Sequence, residues 1–286
     1  MDKVFLSIII ANYNYGHLLS FAIESILSQD DKDYEIIIID GGSIDNSVDI
    51  IKKYQKYIKK WVSEPDKGQS NAFNKGFSYA NGEFLTWLNA DDLLLPGTIK
   101  AVKTTVNEHP GVDYVTGNLV RFIDGTNIIS EASWGPQYLP KWLQGNGKAN
   151  PIYGPTTFWR HSVYDSVGPI DESLHYTMDT DYWSRLVMAG CIQARINHYC
   201  WAFRMHNASK TAEFGDHERN QHVKEIMADE MNYIAKKTGY IVEKKWLLIG
   251  YIMRFFDGTV IRMLYNRLFV RGKNIVKLFN LSYLIQ

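Results

Sequence analysis

Cysteine is scarce in this 286-residue chain, with Cys191 and Cys200 as the full complement. Two thiols in unremarkable contexts build neither a disulfide framework nor a zinc site, and they read as buried thiols of a reducing compartment. An excess of charge is lacking too, because 31 Lys and Arg balance 31 Asp and Glu. No global field recruits nucleic acid, so any partner preference must come from local patches. No apolar run is long enough to span a bilayer. The stretch Val4 to Ala11 superficially resembles a short signal peptide, but it continues into Asn12-Tyr13-Asn14-Tyr15-Gly16 with no small-residue cleavage site. It reads as a strand ending in a turn, and the bulk of the protein is expected in the cytoplasm. Repeats and low-complexity segments are absent.

What is present is alternation. Val4 to Ala11 and Tyr34 to Asp40 are continuous apolar runs rich in isoleucine, the pattern of parallel strands buried on both faces. Between them Leu18, Leu19, Ala22, Ile23, Ile26 and Leu27 recur at helical spacing. The pattern repeats with a helix after Asp45, a short strand at Trp61-Val62-Ser63, a helix from Ser70 to Ala80 and a strand from Phe84 to Leu88. This predicts an α/β fold with an open, mostly parallel sheet flanked by helices. A helix from Thr98 to Asn107, strand-like segments near Tyr114 and from Leu119 to Ile123, and a loop-rich stretch from Ser133 to Pro155 follow. Asp179 to Ala189 then reads as a helix stopped by Gly190.

Ligands of such sheets bind at the carboxyl ends of the strands. Here those ends are Asn12-Tyr13-Asn14, Asp40-Gly41-Gly42-Ser43, Glu64-Pro65-Asp66-Lys67-Gly68 and Asn89-Ala90-Asp91-Asp92. Hard oxygen ligands in a crevice suit Mg²⁺ or Mn²⁺ bound together with substrate phosphates, and a diphosphate leaving group needs such a cation. Asp40 beside two glycines can accept from a base imide or a ribose hydroxyl, although Asp-Gly-Gly-Ser is also a common exit from a strand.

Together these segments resemble glycosyltransferase family 2, the inverting family with the GT-A fold. The resemblance is carried by Ser7-Ile8-Ile9-Ile10-Ala11-Asn12-Tyr13-Asn14, by Tyr34 to Ser43, and by Ser63 to Ser70 with Asn74-Lys75-Gly76. It continues in Trp87-Leu88-Asn89-Ala90-Asp91-Asp92 ahead of Pro96-Gly97, the polysaccharide-assembly version of the pattern. It spans residues 4 to 212 and rests on several motifs in order.

The resemblance implies that Ala11, Asn12 and Tyr13 contact a nucleotide, that Asp40 holds its base or ribose, and that Asp66 and Lys67 lie beside the donor. Asn89-Ala90-Asp91 stands at the family's Asp-x-Asp signature, making Asp91 the metal ligand; Asn89 departs from the usual aspartate and suits a neutral or ribose contact, with Asp92 in support. Met178 to Arg185 resembles the later motif, in which a carboxylate at a helix mouth takes the acceptor's proton. Asp179 is the first choice for it and Asp181 the second; both equally suit the positive end of a helix. In Arg204-Met205-His206-Asn207-Ala208-Ser209-Lys210-Thr211, His206 is placed to reach the metal and Lys210 the diphosphate. Thr156 and Thr157 fall in an acceptor-contact loop.

The implied reaction moves a sugar from a nucleotide diphosphate donor, with uridine as the expected base, to a hydroxyl of a glycan or lipid-linked acceptor in surface polysaccharide synthesis. The competing readings are a sugar nucleotidyltransferase, disfavoured by the lack of a Gly-rich phosphate loop near the first strand, and a binding protein without turnover. Residues 1–216 are expected to form the transferase domain, with a nucleotide-sugar half at 1–97 and an acceptor and catalytic half at 98–216. Residues 217–286 form a helical, basic and amphipathic extension. It suits the inner face of the plasma membrane. Packing on the domain or in a homodimer suits it equally, since arginine stems also cover ordinary core edges.

Overall fold

The computed structural model describes residues 4–133, 156–210, 217–239 and 259–284. The chain opens with β1 (Leu6–Asn12), α1 (Gly16–Leu27), β2 (Tyr34–Asp40), α2 (Ser47–Tyr54), β3 (Lys60–Ser63), α3 (Gln69–Phe77) and β4 (Phe84–Asn89). Ile8, Ile9, Ile10 and Ile36 to Ile39 are fully buried because helices cover both faces of these strands. Each such side chain contributes roughly 1.5–3 kcal/mol of burial free energy. Leu19, Ala22, Ile23 and Ile26 form the buried stripe of α1. On α3 the close approach is made by Gly76, where a Cβ would stand 2.3 Å from Ile9 Cγ2. Adding that carbon would lift α3 from β1 and with it Gln69, at the helix's other end.

Pairing is parallel through β3-β2-β1-β4, and the register aligns the strand ends: Asn12 beside Asp40, Asp40 beside Ser63, Ala11 beside Asn89. The polar residues that close these strands therefore form one row. After β5 (Leu93–Leu94) and α4 (Thr98–Glu108) come β6 (Tyr114–Ile123), β7 (Ile128–Ser133), β8 (Thr157–Arg160) and α5 (His161–Val167). The helix α6 (Met178–Met188) and the strand β9 (Gln193–Met205) complete the domain. β8 runs antiparallel between β4 and β6, and β9 lies parallel to β6 and antiparallel to β5. β9 has no clear counterpart in the sequence reading, because Arg195, Asn197, His198 and Arg204 interrupt the apolar pattern.

Beyond the domain lie α7 (His217–Thr238), α8 (Thr259–Tyr265) and α9 (Ile275–Phe279). Val270, Ile275, Leu281 and Leu284 share a core with Leu93, Val120, Phe122 and Ala202, so the last described turns pack on the domain. Cys200 is buried and Cys191 half-buried, both as free thiols. Burial pushes the Cys191 thiol up to about 11 and Cys200 to about 12.

Candidate active site

At the carboxyl ends of β1, β2 and β4 the sheet opens into a cavity of about 640 Å³. Ala11, Asn12, Tyr13, Asp66, Asn89, Ala90, Asp91 and Asp179 all line it. Residues separated by most of the domain thus meet in one crevice. Its floor includes Trp87, stacked on Trp183 at 4.9 Å and on Phe73 at 5.3 Å, so an aromatic layer stiffens the site from below. Asp66 enters over Gly41: a Cβ there would stand 2.7 Å from Asp66 Oδ2, and Oδ1 accepts from Gly68 N at 2.7 Å. Gly41 thus serves the approach of a neighbouring carboxylate.

Asp91 is held from β9. Arg204, itself buried, donates from Nε to the Asp91 carbonyl at 2.9 Å and from its backbone N to Asp92 Oδ1 at 3.0 Å. Asp91 Oδ2 lies 3.1 Å from His206 Nε2, while the Tyr15 ring meets His206 edge-on and its hydroxyl donates to Ala208 O at 2.9 Å. Among the described residues no cluster of three or more His, Cys, Asp or Glu side chains is gathered tightly enough to hold an ion alone. Asp91 and His206 fit a Mn²⁺ or Mg²⁺ site completed by phosphate oxygens and water.

Asn89 does not point freely at such an ion. Its Nδ2 donates to Asp92 Oδ2 at 2.9 Å and its Oδ1 accepts from Gln69 Nε2 at 2.8 Å, while Gln69 Oε1 lies 3.5 Å from Lys210 Nζ. Asp92 is buried; burial, and then the Asp91 charge, push its carboxyl well above the ordinary range. It supports Asn89 and Arg204 rather than facing the cavity.

Asp179 stands in the first turn of α6 and lines the same cavity as Asp91. Thr180 donates to its Oδ1 from the backbone N at 2.7 Å and from Oγ1 at 3.3 Å. Burial holds its carboxyl above the usual carboxylate value, and the Thr180 bonds and the Lys210 charge pull it back only in part. Lys210 lines the same cavity with Nζ 5.5 Å from the Tyr176 ring centroid, and burial lowers its affinity for a proton.

Four expectations change. Asp181, two residues on, is fully buried with Oδ2 2.8 Å from Arg185 Nε and Oδ1 3.1 Å from Lys237 Nζ, so it braces α6 and touches no part of the cavity. Asp40 is fully buried and satisfied: Oδ1 accepts from Asn12 Nδ2 at 2.7 Å and from Ser43 Oγ, Oδ2 from Ser43 N at 3.0 Å and Ser63 Oγ at 2.6 Å. It tightens the turn, orients Asn12 and is not among the residues that line the cavity. Lys67 is exposed and does not line the cavity that Asp66 and Gly68 line. Thr156 and Thr157 are buried where β8 joins the sheet, with Thr156 Oγ1 donating to Gly117 O at 3.1 Å and Thr157 O accepting from Thr86 Oγ1 at 2.9 Å. All but the first residue of the loop-rich stretch predicted from Ser133 to Pro155 lies outside the described residues.

The cavity also holds residues given no site role from sequence: Gln69, Tyr15, His175, Tyr176 and Ser209. Gln69 was in plain view, following Gly68 at the first position of α3. No local pattern marks His175 and Tyr176, whose placement depends on how the chain enters α6.

A parallel sheet with an amide and carboxylate row at its strand ends, faced by an acidic helix mouth, defines the GT-A class of nucleotide-sugar-binding folds. Solved structures share the architecture. S. aureus TarS in complex with UDP-GlcNAc superposes with a TM-score of 0.62 at 17% identity over 79% of this chain and 66% of that one. The mannosyltransferase PcManGT from Pyrobaculum calidifontis, in complex with GDP-Man and Mn²⁺, gives 0.58 at 14% identity over 100% and 81%. The sequence model of Glycosyl transferase family 2 matches residues 7–168, more than half of the chain. The chain belongs to that family. An uncharacterized glycosyltransferase of Nostoc sp. is 43% identical over 176 residues, 58% of this chain and 54% of that protein. A Campylobacter jejuni protein, GalNAc(5)-diNAcBac-PP-undecaprenol beta-1,3-glucosyltransferase, is 38% identical over 132 residues, 45% of this chain and 42% of that one. The matched region spans about half the length of these two relatives.

Proposed function

We propose that this chain is an inverting, metal-dependent glycosyltransferase that moves a sugar from a uridine diphosphate donor to a hydroxyl of a glycan or lipid-linked acceptor in surface polysaccharide assembly. The observation that carries the reading is that Asp91 and Asp179, far apart in the sequence, line one cavity together with Lys210. The ligands named for the S. aureus protein and the acceptor named for the Campylobacter relative support the donor and acceptor classes.

Asp91 and His206 would hold the cation together with the donor diphosphate, and a cation there would offset the charge that grows on the leaving oxygen. Asn12, Tyr13 and Asp66 border the nucleotide end of the cavity. Asp179 takes the acceptor hydroxyl's proton as that oxygen bonds to the anomeric carbon and the carbon–diphosphate bond breaks, its electrons leaving on the nucleoside diphosphate. Lys210 meets the departing charge. One displacement inverts the centre and needs one base, unlike a glycosidase with its pair of carboxyl groups.

The test is release of nucleoside diphosphate from a panel of nucleotide sugars with Mn²⁺, with and without glycan acceptors, followed by NMR of the product's anomeric configuration. Acceptor-stimulated release of UDP with inversion is expected. Binding without consumption favours a binding protein, retention overturns the single displacement, and pyrophosphate release from a nucleoside triphosphate points to a nucleotidyltransferase.

The extension supports a place for the lipid-linked acceptor. From Thr259 to Gln286 the chain holds Arg262, Arg267, Arg271, Lys273 and Lys277 and no acid, while Ile261, Leu264, Leu268 and Phe269 are exposed at 73%, 57%, 61% and 56%. Cations flanking exposed apolar groups suit an anionic lipid surface. No helix among the described residues is long and apolar enough to cross a membrane. Flotation with phosphatidylglycerol vesicles but not phosphatidylcholine vesicles is expected; concentration-dependent dimerisation without flotation assigns the face to a second copy.

A further inference from the structure

α6 has no side-chain cap of its own: the Thr177 hydroxyl, at the cap position, accepts no bond from the first turn. Just upstream, the segment that leads into α6 takes its acceptor from α7. Glu230 Oε1 accepts from His175 N at 2.5 Å, and Oε2 accepts from Tyr176 N at 2.9 Å, Thr177 N at 2.8 Å and Thr177 Oγ1 at 2.8 Å. One carboxylate therefore gathers consecutive backbone donors of the segment that leads into the helix bearing Asp179. His175 and Tyr176 in that segment line the cavity.

The rest of the same α7 face fixes the register. Tyr233 and Lys237 both bond Asp171 Oδ2, Lys237 also reaches Asp181, and Ile234 is buried between them. The spacing 230, 233, 234, 237 is one helical stripe. Burial works against ionisation of Glu230, but the bonds from His175, Thr177 and Tyr176 outweigh it and hold the carboxyl below its ordinary value, so it is charged at neutral pH. A helix that only stabilised the fold would not need an ionised acceptor aimed at the rim of the cavity.

We propose that Glu230, on a helix outside the residues matched by the family model, is a positioning residue that locks the 175–177 segment and thereby the placement of Asp179 and the cavity rim. The catalytic part of this claim rests on Asp179 being the proton acceptor.

Glu230→Gln keeps the side chain's shape but removes its charge and one acceptor. In the full chain, amide hydrogen exchange over residues 175–177 is expected to speed up about tenfold to a hundredfold, the worth of a charge-assisted bond. The kcat for transfer is expected to fall about tenfold or more, with donor dissociation within about threefold of wild type. Tyr233→Phe removes a bond from the same helix face without touching that segment, and is expected to leave both readouts near wild type. Should Glu230→Gln fail to fold, Glu230→Asp, one methylene shorter, carries the same measurements. Unchanged exchange overturns the lock, and faster exchange with undiminished kcat overturns its catalytic purpose. Equal losses in Tyr233→Phe assign the effect to helix docking and also overturn it. Faster exchange in a protein whose wild type transfers no sugar defeats the proposed function while the lock itself stands.

Discussion

Replacing Asp179 by asparagine removes a proton acceptor without removing its local bonds. Thr180 donates to Oδ1 from its backbone N at 2.7 Å and from Oγ1 at 3.3 Å, and an amide oxygen can accept both. Turnover should fall by about a hundredfold to ten-thousandfold, the usual worth of a placed base, or roughly 3–5 kcal/mol of barrier. Stability should move the other way. Burial raises the folded-state pKa of Asp179 above its unfolded value, with Thr180 and Lys210 reversing only part of the shift. The stability contributed by the protonated form is fully present below the unfolded pKa of about 3.9 and is lost as pH rises through the folded one. Once that proton is lost, the wild type carries a buried ionised carboxylate that the variant lacks. Melting temperatures at pH 7.5 should be equal or higher in Asp179→Asn, with the gap closing as pH falls toward 4. Lys210 and Glu230 are the charged neighbours to hold constant, and the kcat–pH profile should lose its ascending limb. The assay is steady-state sugar transfer at saturating donor, paired with calorimetry. Turnover within tenfold of wild type, or a melting temperature lowered by several degrees at pH 7.5, would refute the assignment.

The other expectations separate holding from reacting. Asp91→Asn and His206→Gln should each abolish the Mn²⁺-dependent part of the thermal shift given by UDP, about 2.7 kcal/mol at a hundredfold excess over Kd, and EDTA should do the same to wild type. Asp181→Asn should lower stability by about 3 kcal/mol, the low end for a buried pair because Arg185 and Lys237 reach solvent, with kcat per folded molecule nearly unchanged in chemical denaturation and turnover assays. Asp40→Asn places an amide among hydroxyl and backbone donors and should lower stability by about 1–3 kcal/mol. Its preference between uridine and guanosine donors should stay as in wild type; a switched preference would return Asp40 to the base.

The first half of the fold was readable because its physics is local. Isoleucine runs alternating with amphipathic helices have few other solutions, and β1, α1, β2 and β4 lie within a residue or two of where the periodicity puts them. Strand-end residues are equally exposed to reading, since parallel register forces Asn12, Asp40 and Asn89 into one row. The second half depends on long-range pairing. Thr156 and Thr157 looked like a polar loop, yet β8 draws them between β4 and β6, where their hydroxyls sit inside the sheet. The role of α7 was hidden for the same reason: a basic, amphipathic helix suits a membrane face and a packed one equally until Asp171 and Asp181 are found facing Lys237.

The sharpest separation is among six carboxylates that look alike on paper. Asp40, Asp92 and Asp181 are fully or almost fully buried at 0%, 1% and 0%, and protein donors occupy them: Asn12 and the serines for the first, Asn89 and Arg204 for the second, Arg185 and Lys237 for the third. A carboxylate so buried presents no edge to a ligand in the cavity, and freeing one would strand its donors. Asp66, Asp91 and Asp179 keep an edge on the cavity. Within each adjacent pair the division is physical: Arg204 grips Asp91 by its carbonyl and Asp92 by its side chain, leaving the Asp91 carboxylate to face His206. In α6 the helical turn sends Asp179 to the cavity and Asp181 into the brace with α7. The buried member of each pair thus holds the member on the cavity in place, and substitutions at the two should differ in kind, one measured in stability and the other in turnover.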